Sequence, residues 1–90
     1  MLELRRLGFS FSSIKNYDPT LNQIMITFDD GYSCINEFAA PVLDEVGGLA
    51  TVFAITDYVG KKNSWDYFPE NKKVSHMNWS ELRNLHEQGW

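Results

Sequence analysis

The chain has 90 residues, which is the length of one small domain. Its 8 Lys and Arg residues against 12 Asp and Glu give a net charge of −4, so it lacks the basic surface that a nucleic-acid partner requires. Its 43% hydrophobic and 22% charged residues are typical of a globular chain, its longest apolar stretches are too short to span a bilayer, and its single cysteine excludes an internal disulfide.

The N-terminal part contains the end of a helix and two strand candidates. Residues 2–7 have the leucine spacing of the last turns of a helix, and Gly8 stands where a helix often ends. Residues 9–12 alternate apolar and polar side chains, which predicts a short strand with one buried face. Residues 24–28 form an apolar run without alternation, typical of a strand covered on both faces in a parallel sheet. This strand is predicted to stop at Asp29-Asp30-Gly31.

The clearest predicted helix follows this strand. Its apolar residues recur at spacings of three and four, at Ile35, Phe38, Ala39, Val42, Leu43 and Val46. Pro41 interrupts the pattern because a proline removes a backbone hydrogen bond, so either the helix kinks there or its regular part begins near Ala40. A Gly-Gly pair at 47–48 ends the helix. Residues 49–55 then predict a second buried strand, which completes a βαβ unit.

A last helix is predicted after Asn78. Asn78 is a good N-cap residue, and Glu81 lies three residues later, as in a capping box. One face of this helix carries Trp79, Leu82 and Leu85, and we expect Trp79 to lie in the core. Gly89 ends the helix, and Trp90 is predicted to open a further strand.

The alternation of helix and strand patterns predicts an α/β protein. A two-stranded parallel sheet cannot cover both of its faces with so few helices, so we expect the chain to be part of a larger α/β fold. The apolar faces that remain, together with unpaired strand edges, predict that the chain by itself is either poorly folded or self-associated.

Two adjacent carboxylates form the most informative feature of the sequence. Asp29 and Asp30 follow a buried strand, where charges are costly unless they are paired, solvated or bound to a cation. Functional sites of parallel α/β folds gather at such strand ends, and Gly31 allows a ligand to approach the backbone. Carboxylate oxygens are suitable ligands for a hard divalent cation, and a carboxylate can also act as a general base. The alternative is a plain turn; a β-hairpin is excluded because a helix, not a return strand, follows.

The segment Thr-Phe-Asp-Asp-Gly-Tyr at residues 27–32 resembles the first motif of the polysaccharide deacetylase family, whose members share the NodB homology domain. The resemblance extends over most of the chain, at residues 4–9, 40–43, 48–53, 63–66 and 77–82. It implies a partial (β/α) barrel of the polysaccharide deacetylase type, truncated, with residues 1–90 forming the N-terminal portion of that domain.

The resemblance also implies a chemistry and roles for particular residues. Members of the family hydrolyse N- or O-acetyl groups on glycans, so the expected partner is an acetylated glycan. Asp29 corresponds to the general base, and Asp30 to a ligand of a divalent metal, usually zinc. Tyr32 either packs beneath the site or lines the glycan groove; we favour substrate binding, because aromatic residues near barrel strand ends often meet ligands.

The chain departs from the family pattern in its histidines. The family completes its metal site with two histidines four residues apart, after a helix that ends in Gly, and we expect this pair to follow Trp90. His76 and His86 are ten residues apart and do not match it. We therefore expect the chain alone to be inactive as a metal-dependent deacetylase. The alternative to a part of a functional deacetylase domain is an inactive fragment or a non-catalytic glycan-binding module.

The remaining candidates have less specific patterns. We expect His86 to be an ordinary helix residue and Cys34 to be a small packing residue. His76 is expected to lie in a loop before the last helix, and contact with substrate or metal is the alternative. The long loop at 56–77 indicates either function or disorder, and its residues Trp65, Tyr67 and Phe68 either stack on sugar rings or hold the loop in place. The N-terminus has no secretory signal pattern, although family members often act at the cell envelope or outside the cell; the location stays open.

Overall fold

The chain combines short parallel strands with short helices, as predicted for an α/β protein. The computed structural model describes residues 2–62, 64 and 74–90. The helices are α1 (Leu2–Arg6), α2 (Ala40–Glu45) and α3 (Trp79–Glu87), and the strands are β1 (Ser10–Ser12), β2 (Gln23–Met25), β3 (Thr27–Asp30) and β4 (Thr51–Ala54). A π-helix at Ile35–Ala39 and single 3₁₀ turns at Ile14–Asn16 and Thr56–Tyr58 connect them. No helix in these ranges is long and apolar enough to cross a membrane.

The strands form two parallel pairs, β1 with β2 and β3 with β4. The backbone joins the two pairs, because the Leu49 N–H donates to the Phe11 carbonyl at 3.0 Å and the Thr51 N–H to the Ile26 carbonyl at 3.0 Å. The strand predicted at 24–28 is interrupted at Ile26, and its second part includes both aspartates and ends at Asp30, within the predicted stop at Asp29-Asp30-Gly31.

Both predicted strands are only partly covered. Met25 of β2 and Phe53 of β4 are exposed, so the expectation that these strands are buried on both faces is wrong. The cause is that, in the described ranges, the buried residues of helices α2 and α3 pack against only part of the surface of the strands.

The helix predicted around Pro41 begins as a π-helix and becomes regular at Ala40, the second of the two alternatives. The Ala40 N–H donates to the Ile35 carbonyl, five residues back, and Pro41 then occupies the first turn of α2. In a regular α-helix a proline ring clashes with the carbonyl four residues back, so the wider turn that precedes Pro41 suits a proline at this position.

The wider turn also changes which residues of the predicted stripe are buried. Ile35, Leu43 and Val46 are buried, whereas Phe38 is 69% exposed and Val42 is 49% exposed. These two residues border an apolar surface cavity of about 480 Å³. One apolar face of this helical segment is therefore uncovered by the described residues.

Two groups of buried side chains make up the core. The first contains Phe11, Leu43, Val46 and Ala50, and the second contains Ile35, Met77 and Leu85. Phe28 and Trp90 contact both groups, with their rings stacked at a centroid distance of 6.0 Å. Trp90 thus packs against both core groups; a strand that opens at Trp90 stays a prediction.

Helix α3 begins as predicted but does not bury its tryptophan. Asn78 accepts the Glu81 N–H at 2.8 Å, and the Glu81 carboxylate accepts the Asn78 N–H at 3.2 Å, which completes the capping box. Leu85 is buried and Leu82 half-buried, but Trp79 is 61% exposed, so its assignment to the core is wrong. Six residues along a helix place Trp79 about 120° around the axis from Leu85, away from the core.

The glycines of the fold give a test of the turn after β3. Gly31 has a φ of 72°, and a Cβ built on it would lie 3.3 Å from the Cβ of Ala54, whereas Gly47 has a φ of 64° with open space around it. Gly47→Ala should cost only the left-handed strain, about 1 kcal/mol. Gly31→Ala should cost measurably more, because strain and crowding add. Chemical denaturation of both variants measures this, and equal losses of stability would contradict the placement of Gly31 against β4.

Candidate active site

Asp29 and Asp30 are the last two residues of β3. In the parallel register they lie beside Phe53 and Ala54 of β4, at the carboxyl end of the strand pair. The Asp29 side chain is exposed and Asp30 is half-buried. Within the described part of the chain neither carboxylate has a cationic partner, since the ion pair found there joins Arg6 and Glu3. The two negative charges are therefore available to a cation or to a proton.

The backbone turns sharply at this pair. Asp30 has a φ of 74° and Gly31 a φ of 72°, so two consecutive residues are left-handed. Among the described non-glycine residues Asp30 is alone in having a positive φ. Aspartate tolerates this conformation better than most residues, but it still costs free energy and persists only where the surroundings enforce it.

The segment 74–78, which we call the His76 segment, supplies these surroundings. On one side the Met77 N–H donates to the Gly31 carbonyl at 2.8 Å, and the Ser33 N–H donates to the Ser75 carbonyl at 2.9 Å. On the other side the His76 N–H donates to the carbonyl of Lys61 at 2.8 Å. The segment therefore lies between the acidic turn and the loop after β4, bonded to both.

The side chain of His76 completes this contact. Its Nδ1 lies 2.7 Å from the carbonyl oxygen of Asp30, and only 3% of the residue is exposed. The ring stacks on Tyr32 at a centroid distance of 4.7 Å and contacts Tyr58 at 5.6 Å. Sequence reasoning placed His76 in a loop but missed this role, because its partner Asp30 is 46 residues away and no local pattern marks the contact.

The other predicted site residues are placed as follows. Tyr32 is half-buried and stacks on His76, next to the acidic turn. His86 is an exposed residue of α3, as expected for an ordinary helix position. Cys34 is exposed beside the apolar cavity instead of packing in the interior. The predicted roles of Trp65, Tyr67 and Phe68 lie outside the described residues.

The donor set fits one position of a divalent-cation site. Asp30 presents a half-buried carboxylate at a strand end, without a competing cation in the described ranges, and carboxylate oxygens are common ligands of such ions. Those ranges contain no group of three His, Cys, Asp or Glu side chains that could hold a metal by itself. The described residues therefore supply a part of a metal site.

Comparisons with known proteins identify the class to which this fold and turn belong. The family model described as polysaccharide deacetylase matches residues 16–90, and the chain therefore belongs to the polysaccharide deacetylase family.

Among solved structures, the deacetylase domain of BpsB from Bordetella bronchiseptica matches with a TM-score of 0.71 and 23% identity. The match covers 98% of this chain and 38% of that one, so the chain shares the fold of that part and spans well under half of the domain's length. A search of curated proteins found no match.

The strained turn predicts opposite effects of glycine at the two aspartates. Asp30→Gly should leave the stability unchanged or raise it by up to about 1 kcal/mol, because glycine adopts a positive φ without strain. Asp29→Gly should lower the stability by about 0.5–1 kcal/mol, because glycine weakens a strand interior. Denaturation curves of the two variants test this, and a larger loss for Asp30→Gly than for Asp29→Gly would contradict the left-handed assignment.

Proposed function

We propose that the chain supplies the acidic part of a metal-dependent deacetylase site that removes N- or O-acetyl groups from a glycan. Membership of the polysaccharide deacetylase family supports the reaction class. The observation that carries the proposal is the adjacent pair Asp29 and Asp30 at the end of β3, unpaired with any cation in the described ranges and presented on a left-handed turn.

The two carboxylates differ in environment, which suits two different roles. Asp29 is the more exposed, so it is placed to accept a proton from a water molecule that attacks an acetyl carbonyl. Asp30 is half-buried, and its backbone carbonyl is bonded to His76, which suits a ligand of a divalent metal. We propose zinc as that metal. When bound, such a metal supplies a Lewis acid for the carbonyl and acidifies a bound water.

The rest of the site needs residues beyond the described part. A catalytic zinc site normally has about three protein ligands, and Asp30 accounts for one. The match to 38% of the BpsB deacetylase domain supports the proposal that these strands form part of a (β/α) barrel. Sites of such barrels gather at the carboxyl ends of the strands, where Asp29 and Asp30 lie.

Tyr32 is proposed to border the glycan site. It follows the acidic turn directly, is half-buried, and has one ring face on His76. Aromatic residues near the strand ends of a barrel often contact ligands, which supports this placement of Tyr32. A non-catalytic glycan-binding module is the second candidate function, because the described residues group no complete ligand set.

Amide substitutions should separate the two carboxylates. In the natural polypeptide that carries these residues, Asp29→Asn should keep zinc affinity but lower the rate of acetate release from acetylated chito-oligosaccharides by about 10²–10⁴-fold, because the proton acceptor is lost. Asp30→Asn should weaken zinc binding more than about tenfold. Loss of a residue that only contacts a metal ligand already lowers metal affinity by about that factor, and Asp30 is proposed as a ligand itself. Calorimetric zinc titration and an acetate assay measure both effects.

The exposed Asp57, on the 3₁₀ turn after β4, provides the control for this pair. Asp57→Asn removes the same charge at another site and should change neither quantity. Equal zinc affinity of Asp29→Asn and Asp30→Asn would overturn the division of roles. Zinc binding without acetate release in the unsubstituted polypeptide would favour the binding module.

The uncovered apolar face should make the 90-residue chain self-associate. Phe38 borders the apolar cavity and is 69% exposed, while Leu7 is 70% exposed but lies outside the cavity lining. Phe38→Lys should therefore shift the sedimentation profile toward monomer, because it places a charge on the apolar face. Leu7→Lys adds the same charge elsewhere and should leave the profile unchanged. A monomeric unsubstituted chain would show that the face does not drive association.

A further inference from the structure

We propose that His76 is a positioning residue: its Nδ1–H holds the Asp30 carbonyl and thereby fixes the turn that presents the Asp30 carboxylate to a cation. The inference rests on the proposed metal role of Asp30 for its functional consequence. The hydrogen bond itself and the left-handed turn are features of the fold and can be tested separately.

The chemistry of the contact decides where the proton of the ring lies. Nδ1 of His76 is 2.7 Å from the Asp30 carbonyl oxygen. A carbonyl oxygen only accepts hydrogen bonds, so Nδ1 must carry the proton and donate it. The bond therefore selects the tautomer of the ring, which makes the contact directional and observable by spectroscopy.

The ring is held from several directions. Tyr32 stacks on it with an interplanar angle of 27°, and Tyr58 contacts it at 42°. Its own backbone N–H is bonded to Lys61, and the next residue, Met77, has no exposed surface. A donor fixed in this way costs little entropy when the bond forms, so it can hold its acceptor in place.

The consequence for Asp30 follows from its backbone conformation. A non-glycine residue at φ 74° carries a strain of about 1–2 kcal/mol and needs outside contacts to remain there. Two consecutive carbonyls of the turn are held by two consecutive residues: Asp30 by the His76 ring and Gly31 by the Met77 N–H. With its carbonyl direction fixed, the direction of the Asp30 Cα–Cβ bond is fixed as well, which limits the positions that the carboxylate can reach before any cation arrives.

Two substitutions separate the hydrogen bond from the packing. His76→Phe keeps an aromatic ring between the tyrosines but removes the donor, and His76→Asn removes the ring but keeps an amide N–H close to the position of Nδ1. His86→Phe, at the exposed histidine of α3, is the matched control. All are made in the natural polypeptide, and zinc affinity is measured by calorimetry.

We expect zinc affinity to depend on whether residue 76 has a side-chain N–H donor. His76→Phe should weaken zinc binding about 10–100-fold, the usual cost of losing an outer-sphere partner of a metal ligand, and His76→Asn should restore most of that affinity. His86→Phe should leave zinc affinity unchanged. In NMR spectra without metal, the unsubstituted protein should show His76 protonated at Nδ1, and the Asp30 carbonyl ¹³C shift should change in His76→Phe more than in His76→Asn.

Several outcomes would overturn the proposal. A His76 ring protonated at Nε2 alone in the unsubstituted protein would remove the hydrogen bond, and this measurement decides the matter even if both variants fail to fold. A folded His76→Phe with unchanged zinc affinity, or a folded His76→Asn as weak as His76→Phe, would leave His76 with a packing role only. Unchanged zinc affinity in Asp30→Asn, with the Nδ1 proton present, would instead reject the metal role of Asp30 and keep the hydrogen bond.

Discussion

Two consecutive left-handed residues at the end of β3 are the constraint on which the candidate site depends. Asp30, the last residue of β3, and Gly31 turn the chain at the end of the strand, and Gly31 lies within contact distance of β4. Gly31 meets this requirement because it has no side chain to collide with Ala54. Asp30 does not meet it without strain, so its conformation must be stabilised by contacts from elsewhere in the chain.

The His76 segment provides those contacts by connecting the turn to the core. Met77 is fully buried among Ile35, Leu85 and their neighbours, and its backbone N–H bonds to Gly31. Free energy gained by burying an apolar side chain thus helps to hold a strained polar turn. The capping box at Asn78 starts α3 directly after this segment and fixes its far end.

The two histidines show how differently the fold uses the same residue type. His86 is an exposed position of α3, whereas His76 is buried against two tyrosines and the Asp30 carbonyl. Neither matches the paired histidines of the family pattern. The role proposed for His76 does not include contact with the cation. His76 holds the backbone of Asp30, and Asp30 is the proposed metal ligand. Such outer contacts determine how well a carboxylate is preorganised for binding.

Local chemistry let the sequence by itself determine the α/β class, the family, the acidic pair and the capping box at Asn78, because strand runs, caps and a short motif act between near neighbours. The sequence left open whether the helix kinks at Pro41 or becomes regular near Ala40, and the structure shows the second. Only the tertiary structure decided which of those residues are covered and which meet. The exposure of Trp79 and Phe38, the stacking of Trp90 on Phe28 and the bond from His76 to Asp30 depend on segments that are distant in sequence. The left-handed conformation of Asp30 belongs to this second group, because the contacts that hold it come from residues more than forty positions further along the chain.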